Sequence, residues 1–286
     1  MLNNVISKNK YIVRSSRKPA RLLLAIGILI SASLIIAAVF APVLAPNDPY
    51  SVDIRNAFQP SGFEFPFGTD QLGRCILSRL LFGARTSLTT AILVTAVTFL
   101  IGITVGAVCG LFAGKLLDKA LTALCEIILA FPGIILALVI SGTLGPGILN
   151  MMLAIALVSW AGFSRVVRSL VISVKDAEYI TTARTAGTRG IKLVTRHIFP
   201  NISGAMFTIL VTNLGNTILQ IAGLSFLGLG AQPPTAEWGM MINDARSFIS
   251  GNPSLILYPI AAVSMAVLGF HLIGDGLKDI SDSNEV

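Results

Sequence analysis

The sequence predicts an all-α integral membrane protein with six transmembrane helices and both termini in the cytoplasm. Three observations predict it. Only 12% of the 286 residues are charged, against about a quarter in a soluble domain. The apolar residues, 54% of the chain, come in long uncharged blocks, and the mean hydropathy is +0.80. The segments between those blocks differ in lysine and arginine content as the positive-inside rule requires. An ordinary cytosolic enzyme and a disordered chain are both excluded by this composition.

Each span follows from the need for about 20 apolar residues. Residues 1–21 are a basic N-terminal stretch with Lys8, Lys10, Arg14, Arg17, Lys18 and Arg21, expected in the cytoplasm. Residues 22–45 are 24 uncharged residues. That is longer than a signal-peptide apolar region of about 7–15, so the block reads as an uncleaved anchor and first span. Pro46-Asn47-Asp48-Pro49 ends it. Residues 46–85 form an extracytoplasmic segment. The second span lies within 86–113, again free of charge. The next uncharged run, 127–164, is 38 residues long. Gly142-Thr-Leu-Gly-Pro-Gly147 cuts it, giving a third span near 121–141 and a fourth near 148–164. The fifth lies near 202–226, followed by Gly228, Gly230, Pro233 and Pro234, and the sixth near 255–274. Residues 86–276 thus form a core of spans two to six with an inner loop at 169–201, and 277–286 a cytoplasmic tail. A β-barrel fails, because its strands are about ten residues of alternating polarity.

Charge tests the orientation. The inner segments hold 16 Lys and Arg and the outer ones five: Arg55, Arg74, Arg79, Arg85 and Arg246. The acids divide eight inside and six outside. The net charge of +7 is therefore a topology signal rather than a nucleic-acid footprint.

Polar chemistry is sparse. Cys75, Cys109 and Cys125 have no CxxC spacing and read as small buried hydrophobes. Glu126, His271 and Asp275 lie near the inner ends of spans, where reaching the interface is cheap. No span centre carries an acid or a base, unlike a proton- or sodium-coupled carrier. Asn213, Asn216 and Gln220 of the fifth span either line a polar path or join helices by hydrogen bonds. Motifs for metalloprotease, serine-hydrolase and P-loop chemistry are missing. Uphill transport would then take its energy from a partner.

The inner loop is the most informative stretch. Asp176 is placed to cap a helix whose first turn holds Glu178. Ala177, Ile180, Ala183 and Gly187 recur at spacings of three and four, a small-residue face suited to a groove on another protein or to a lipid surface. Gly187 suits a helix end. Ile191, Val194 and Ile198 form a second short face, and Pro200 opens the fifth span.

Those residues resemble the Glu-Ala-Ala loop of ABC importer permeases. Thr181-Thr182-Ala183, Gly187 and His197-Ile198-Phe199-Pro200 match its pattern, with threonines in place of the glutamate and first alanine. Phe67-Gly-Thr-Asp-Gln-Leu-Gly-Arg74, Leu77-Ser-Arg-Leu80 and Gly83-Ala-Arg-Thr-Ser-Leu88 are similar to the dipeptide, oligopeptide and nickel permeases. So are Ala130-Phe-Pro132, Leu224-Ser-Phe-Leu-Gly-Leu-Gly230 and Gly274-Asp-Gly-Leu277. Pro46-Asn-Asp-Pro49 fits the C-type subunit of the permease pair. The stretch from Pro234 to Arg246, and Ile221-Ala-Gly223 where peptide-type members often carry an acid, resemble nickel permeases most closely.

The resemblance implies a type I ABC importer permease (MetI-like) fold in a bacterial inner membrane. It implies a second permease subunit, two ATPase subunits and an extracytoplasmic solute-binding protein as partners. No catalytic residue, cofactor or metal ligand is expected on this chain; ATP and Mg belong to the ATPases. Glu178, Thr181, Thr182, Ala183, Gly187 and Pro200 are the expected ATPase-coupling residues. Asp70, Arg74, Glu237, Trp238 and Asp244 are candidate contacts for the binding protein; with Asp48, Asp53 and Glu64 the outer acids are alternatively only solvated. Met240 and Met241 are read as packing residues of the outer loop. The implied cargo is nickel or a metal chelate, with di- or oligopeptides as the alternative. A self-sufficient secondary carrier and a structural anchor are the other classes.

Overall fold

The computed structural model describes residues 2–188 and 190–282. Met1, Arg189, residues 283–286 and the side chains of residues 2–18, Ile191 and Asp282 lie outside that description. Most side chains of the basic N-terminal cluster, one inner-loop arginine, the side chain of one member of the second inner face and the end of the tail therefore fall outside that description.

The described residues are mainly helical, with no strand among them. Helix α1 (Leu2–Val39) is followed by one turn, α2 (Ala41–Leu44), and an outer loop. Helix α3 (Ile76–Leu111) leads to α4 (Leu116–Leu129) and α5 (Gly133–Leu144). Then come α6 (Ile148–Lys175), α7 (Glu178–Thr185) and the short α8 (Gly190–Leu193). A π turn at Val194–Ile198 runs into α9 (Phe199–Phe226). Helix α10 (Trp238–Ala245) and α11 (Ser254–Asp282) complete the chain.

Among the described residues five helices are long and apolar enough to cross a membrane: Pro19–Val39, Ile76–Leu111, Ile148–Lys175, Val194–Phe226 and Ser254–Ser281. The expected third span differs. Helices α4 and α5 meet at 84°, so 121–141 is not one straight helix but a bent pair, a sixth span at most. Pro132 explains the break: it lacks an N–H and disfavours helix in Phe131, and it stands as N-cap of α5 with ψ of 118°. The predicted cut before α6 agrees with the structure, where Gly145 and Gly147 carry φ of 88° and 147°. Two other helices outrun their apolar stretches. Helix α3 starts ten residues before the uncharged block, and α6 runs past Ser164 to Lys175.

Helices α3 and α6 pack backbone to side chain. Gly102, Gly106 and Gly110 lie one turn apart on α3 and meet Phe163, Val167 and Val171 of α6. A Cβ on Gly106 would sit 2.5 Å from the Ser164 carbonyl, and one on Gly110 would sit 2.6 Å from the Val171 Cβ. Lipid gives no hydrophobic drive to helix pairing, so close van der Waals approach at small residues supplies it. Leu88, Val94, Met151, Ile155, Ile218, Ile221, Leu224, Trp238 and Phe270 form the main core. A second core lies at the other end of the bundle, where Val171, Ile180, Val194, Ile198 and Met206 meet. Large apolar side chains such as Leu93, Leu100 and Leu149 face outward, as a lipid solvent requires.

Candidate functional site

The inner segment is built by two closely spaced helices. Asp176 does not cap α7; it is the last residue of the α6 turn, and Ala177 stands at the N-cap position without a side-chain bond. With only Asp176 and Ala177 between the helices, the Asp176 carboxylate lies instead 4.0 Å from Arg184. Glu178 keeps the expected place in the first turn of α7.

The small-residue face of α7 turns inward. Ile180 is fully buried and Ala183 nearly so, both within the second core. The face of α7 that carries Ala183, one of the expected coupling residues, is packed against the chain's own helices. Glu178, Tyr179, Thr181, Thr182 and Thr185 are exposed on the other side. The three threonine hydroxyls donate to backbone carbonyls of the preceding turn: Thr181 to Ala177, Thr182 to Glu178 and Thr185 to Thr182. Gly187 closes the helix with φ of 91°. Its N–H donates to the Arg184 carbonyl and that of Thr188 to the Ala183 carbonyl, both at 3.0 Å. That is the paired-bond helix end which a left-handed residue permits. Pro200 is exposed in the first turn of α9. It donates no hydrogen bond, and the π turn before it carries the chain into the helix.

At the other end of the bundle the candidate outer contacts form an internal clamp. Asp70, Arg74, Glu237 and Trp238 are all under 10% exposed. Of the five candidate binding-protein contacts, only Asp244 is half-buried rather than buried. Arg74 reaches Asp70 at 2.6 Å and Asp244 at 3.4 Å. Arg79 lies 3.7 Å from Asp70 and donates to the carbonyls of Pro49 and Pro234. Two guanidinium groups thus balance two carboxylates and tie three distant segments together. Burial raises the Asp244 carboxyl above its ordinary range, against the pull of Arg74 and Arg79.

Glu237 caps α10. Its carboxylate accepts from the N–H groups of Gly239 and Met240, each at 2.9 Å, and from the Ser87 hydroxyl at 3.0 Å. Burial pushes its carboxyl above the usual carboxylate range, and those hydrogen bonds oppose the shift. Trp238 donates its indole N–H to the Leu80 carbonyl at 3.1 Å and lies against Gly83. Met240 and Met241 are buried, as packing residues should be. All three cysteines are buried and free.

In α9, Asn213 donates to the Ile209 carbonyl of its own helix, and Asn216 lies 3.2 Å from the His271 ring of α11. Gln220 is half-buried. One feature escaped sequence reasoning. Asp118 of α4 takes two bonds from Arg168 of α6, at 2.6 and 2.9 Å. It also accepts from Gly114 N–H and the Thr122 hydroxyl. The pair joins residues 50 positions apart, and its only sequence signal was a lone acid next to an apolar block.

A family model described as binding-protein-dependent transport system inner membrane component matches residues 102–284. The dipeptide transport system permease protein of Alkalihalophilus pseudofirmus is 38% identical over 257 residues, 90% of this chain and 84% of that protein. The nickel transport system permease protein of Escherichia coli strain K12 is 35% identical over 272 residues, 95% and 96% of the two chains. The glutathione transport system permease protein of Escherichia coli O157:H7 is 38% identical over 250 residues, 87% and 82%.

Proposed function

Because the chain belongs to the family of binding-protein-dependent transport system inner membrane components, we propose that it works as one of two paired permease subunits in an ATP-driven importer. Both termini face the cytoplasm, where two ATPase subunits bind ATP and Mg. A solute-binding protein delivers cargo on the outside, and Asn213, Asn216 and Gln220 border the passage. The chain itself performs no catalysis.

The observation that carries this reading is the presentation of α7. Ile180 and Ala183 root it in the inner core while Glu178, Thr181, Thr182 and Thr185 stay exposed. A short, rooted helix with one free face suits a groove on an ATPase; Gly187 fixes its C-terminal end, and Pro200 opens the helix that follows the loop. The test is Gly187→Arg: uptake and cargo-stimulated ATP hydrolysis should collapse while the protein still inserts. Normal transport would overturn the assignment. Flux from this chain alone in liposomes without ATP would support a secondary carrier instead.

For cargo, the nickel or metal-chelate reading rests on Ile221-Ala-Gly223 and on the segment from Pro234 to Arg246. Ile221 is 1% exposed in the main core, so packing accounts for its apolar character. The 38% identity to a dipeptide permease supports the peptide reading equally. Binding of nickel, a nickel chelate and dipeptides to the cognate solute-binding protein separates the two.

A further inference from the structure

We propose that the groove between α1 and α3 is a binding site for one anionic phospholipid, with Arg85 holding the phosphate. Ile35, Ala38 and Val39 of α1 and Leu88, Thr89 and Ile92 of α3 line it, and it encloses about 210 Å³. Both walls belong to helices apolar enough to span a membrane. Ile35, Val39 and Ile92 remain 41%, 63% and 48% exposed, so the groove opens sideways toward hydrocarbon. The Thr89 hydroxyl donates to the carbonyls of Arg85 and Thr86 and adds no free polar group.

Arg85 sets the chemistry of the occupant. Arg74 and Arg79, on the same stretch of chain, are compensated by Asp70 and Asp244. Arg85 is exposed and makes no ion pair among the described residues. Ile92 lies seven residues further along α3, about 10 Å at 1.5 Å per residue. The groove therefore runs from a charge at its mouth about a third of the way across a hydrocarbon core of roughly 30 Å. An acyl chain fits the apolar depth, and a headgroup phosphate complements the guanidinium, whose fork matches phosphate oxygens. A neutral zwitterionic lipid would set its own ammonium against Arg85.

The test places a reporter in the groove. The full-length chain carrying Ile92→Trp, purified with its co-assembling subunits, is reconstituted in vesicles containing brominated phosphatidylglycerol or brominated phosphatidylcholine at equal mole fraction. The unaltered complex provides the background from Trp160 and Trp238. Phosphatidylglycerol should quench the reporter with about fivefold higher apparent affinity, the factor expected for one arginine near an anionic headgroup. Arg85→Gln should bring both lipids to the same level, and Arg85→Lys should keep most of the preference. Equal quenching with Arg85 present, or a preference that survives Arg85→Gln, overturns the site. Quenching by neither lipid overturns it too, and shows a protein helix covering the groove.

Discussion

Ser87 and Glu237, 150 positions apart, meet inside the protein: the serine hydroxyl donates to the buried carboxylate at 3.0 Å, and accepts from the backbone N–H of Trp238 at 3.2 Å. The contact fixes the start of α10 against α3. Replacing Glu237 by Ala leaves buried donors of Gly239, Met240 and Ser87 without their acceptor. The expected cost is about 3 kcal/mol in thermal or denaturant unfolding in detergent, from a lost cap and unsatisfied donors. Glu237→Gln keeps one acceptor oxygen and should cost about half as much.

The same pair carries a pH signature. Burial raises the Glu237 carboxyl, so the folded state holds its proton more tightly than the unfolded chain. Its contribution to stability is therefore greatest at low pH and declines as pH rises from the ordinary carboxylate value of about 4.3 through the raised one. Asp244 shifts the same way. The melting temperature of the unaltered protein relative to Glu237→Gln should fall as pH rises above the ordinary carboxylate value of about 4.3. A difference independent of pH would refute this.

Asp118 and Arg168 bind α4 to α6 through two parallel hydrogen bonds. Asp118→Asn leaves Arg168 without its counter-charge. A fully buried pair broken in this way costs about 3–5 kcal/mol. The Arg168 side chain is 31% exposed, so water shares the load and about 2 kcal/mol is expected. Asp118→Asn combined with Arg168→Gln should recover part of that loss. Additive losses in the double-mutant cycle would show that the two residues are not coupled.

The α3–α6 contact tolerates no side chain at Gly106. Gly106→Val should destabilise by about 1–3 kcal/mol through forced separation of the helices. Gly142, in α5, has open space around it. There Gly142→Ala should be neutral or stabilise by up to about 1 kcal/mol. Equal effects at both positions, read as melting temperatures, would remove close packing as the cause.

Gly187 offers a graded test of the helix end. No atom lies within 4 Å of a Cβ built there, yet φ is 91°. The penalty for Ala is thus backbone strain alone, about 1 kcal/mol, and Asn should pay less. Cargo-stimulated ATP hydrolysis should follow Gly, then Asn, then Ala. Equal activity in all three would separate the helix end from coupling.

The spans were legible because lipid imposes a length and a polarity that single segments must satisfy alone. The end of α7 was legible for a similar reason: Gly187 and its neighbours settle it locally. The bend between α4 and α5 was written in Phe131-Pro132, but an uninterrupted apolar run masked it. The inward turn of Ala183 and the burial of Glu237 and Trp238 depend on partners far along the chain, and spacing alone carries no such information. Asp176 was misread because a capping residue and the last residue of a preceding helix look the same in sequence.

The clamp of Asp70, Arg74, Arg79 and Asp244 imposes an order on biogenesis. Arg74 precedes Asp244 by 170 residues, roughly 10–30 s of synthesis at about 5–20 residues per second. For that interval the two arginines have Asp70 as their carboxylate from the clamp, while α3 awaits its later neighbours. The end of the molecule that carries the clamp is therefore a late-closing joint, assembled only when the last quarter of the chain arrives. Truncation before Asp244 would leave a membrane-inserted but unlatched intermediate, a natural substrate for quality-control proteolysis.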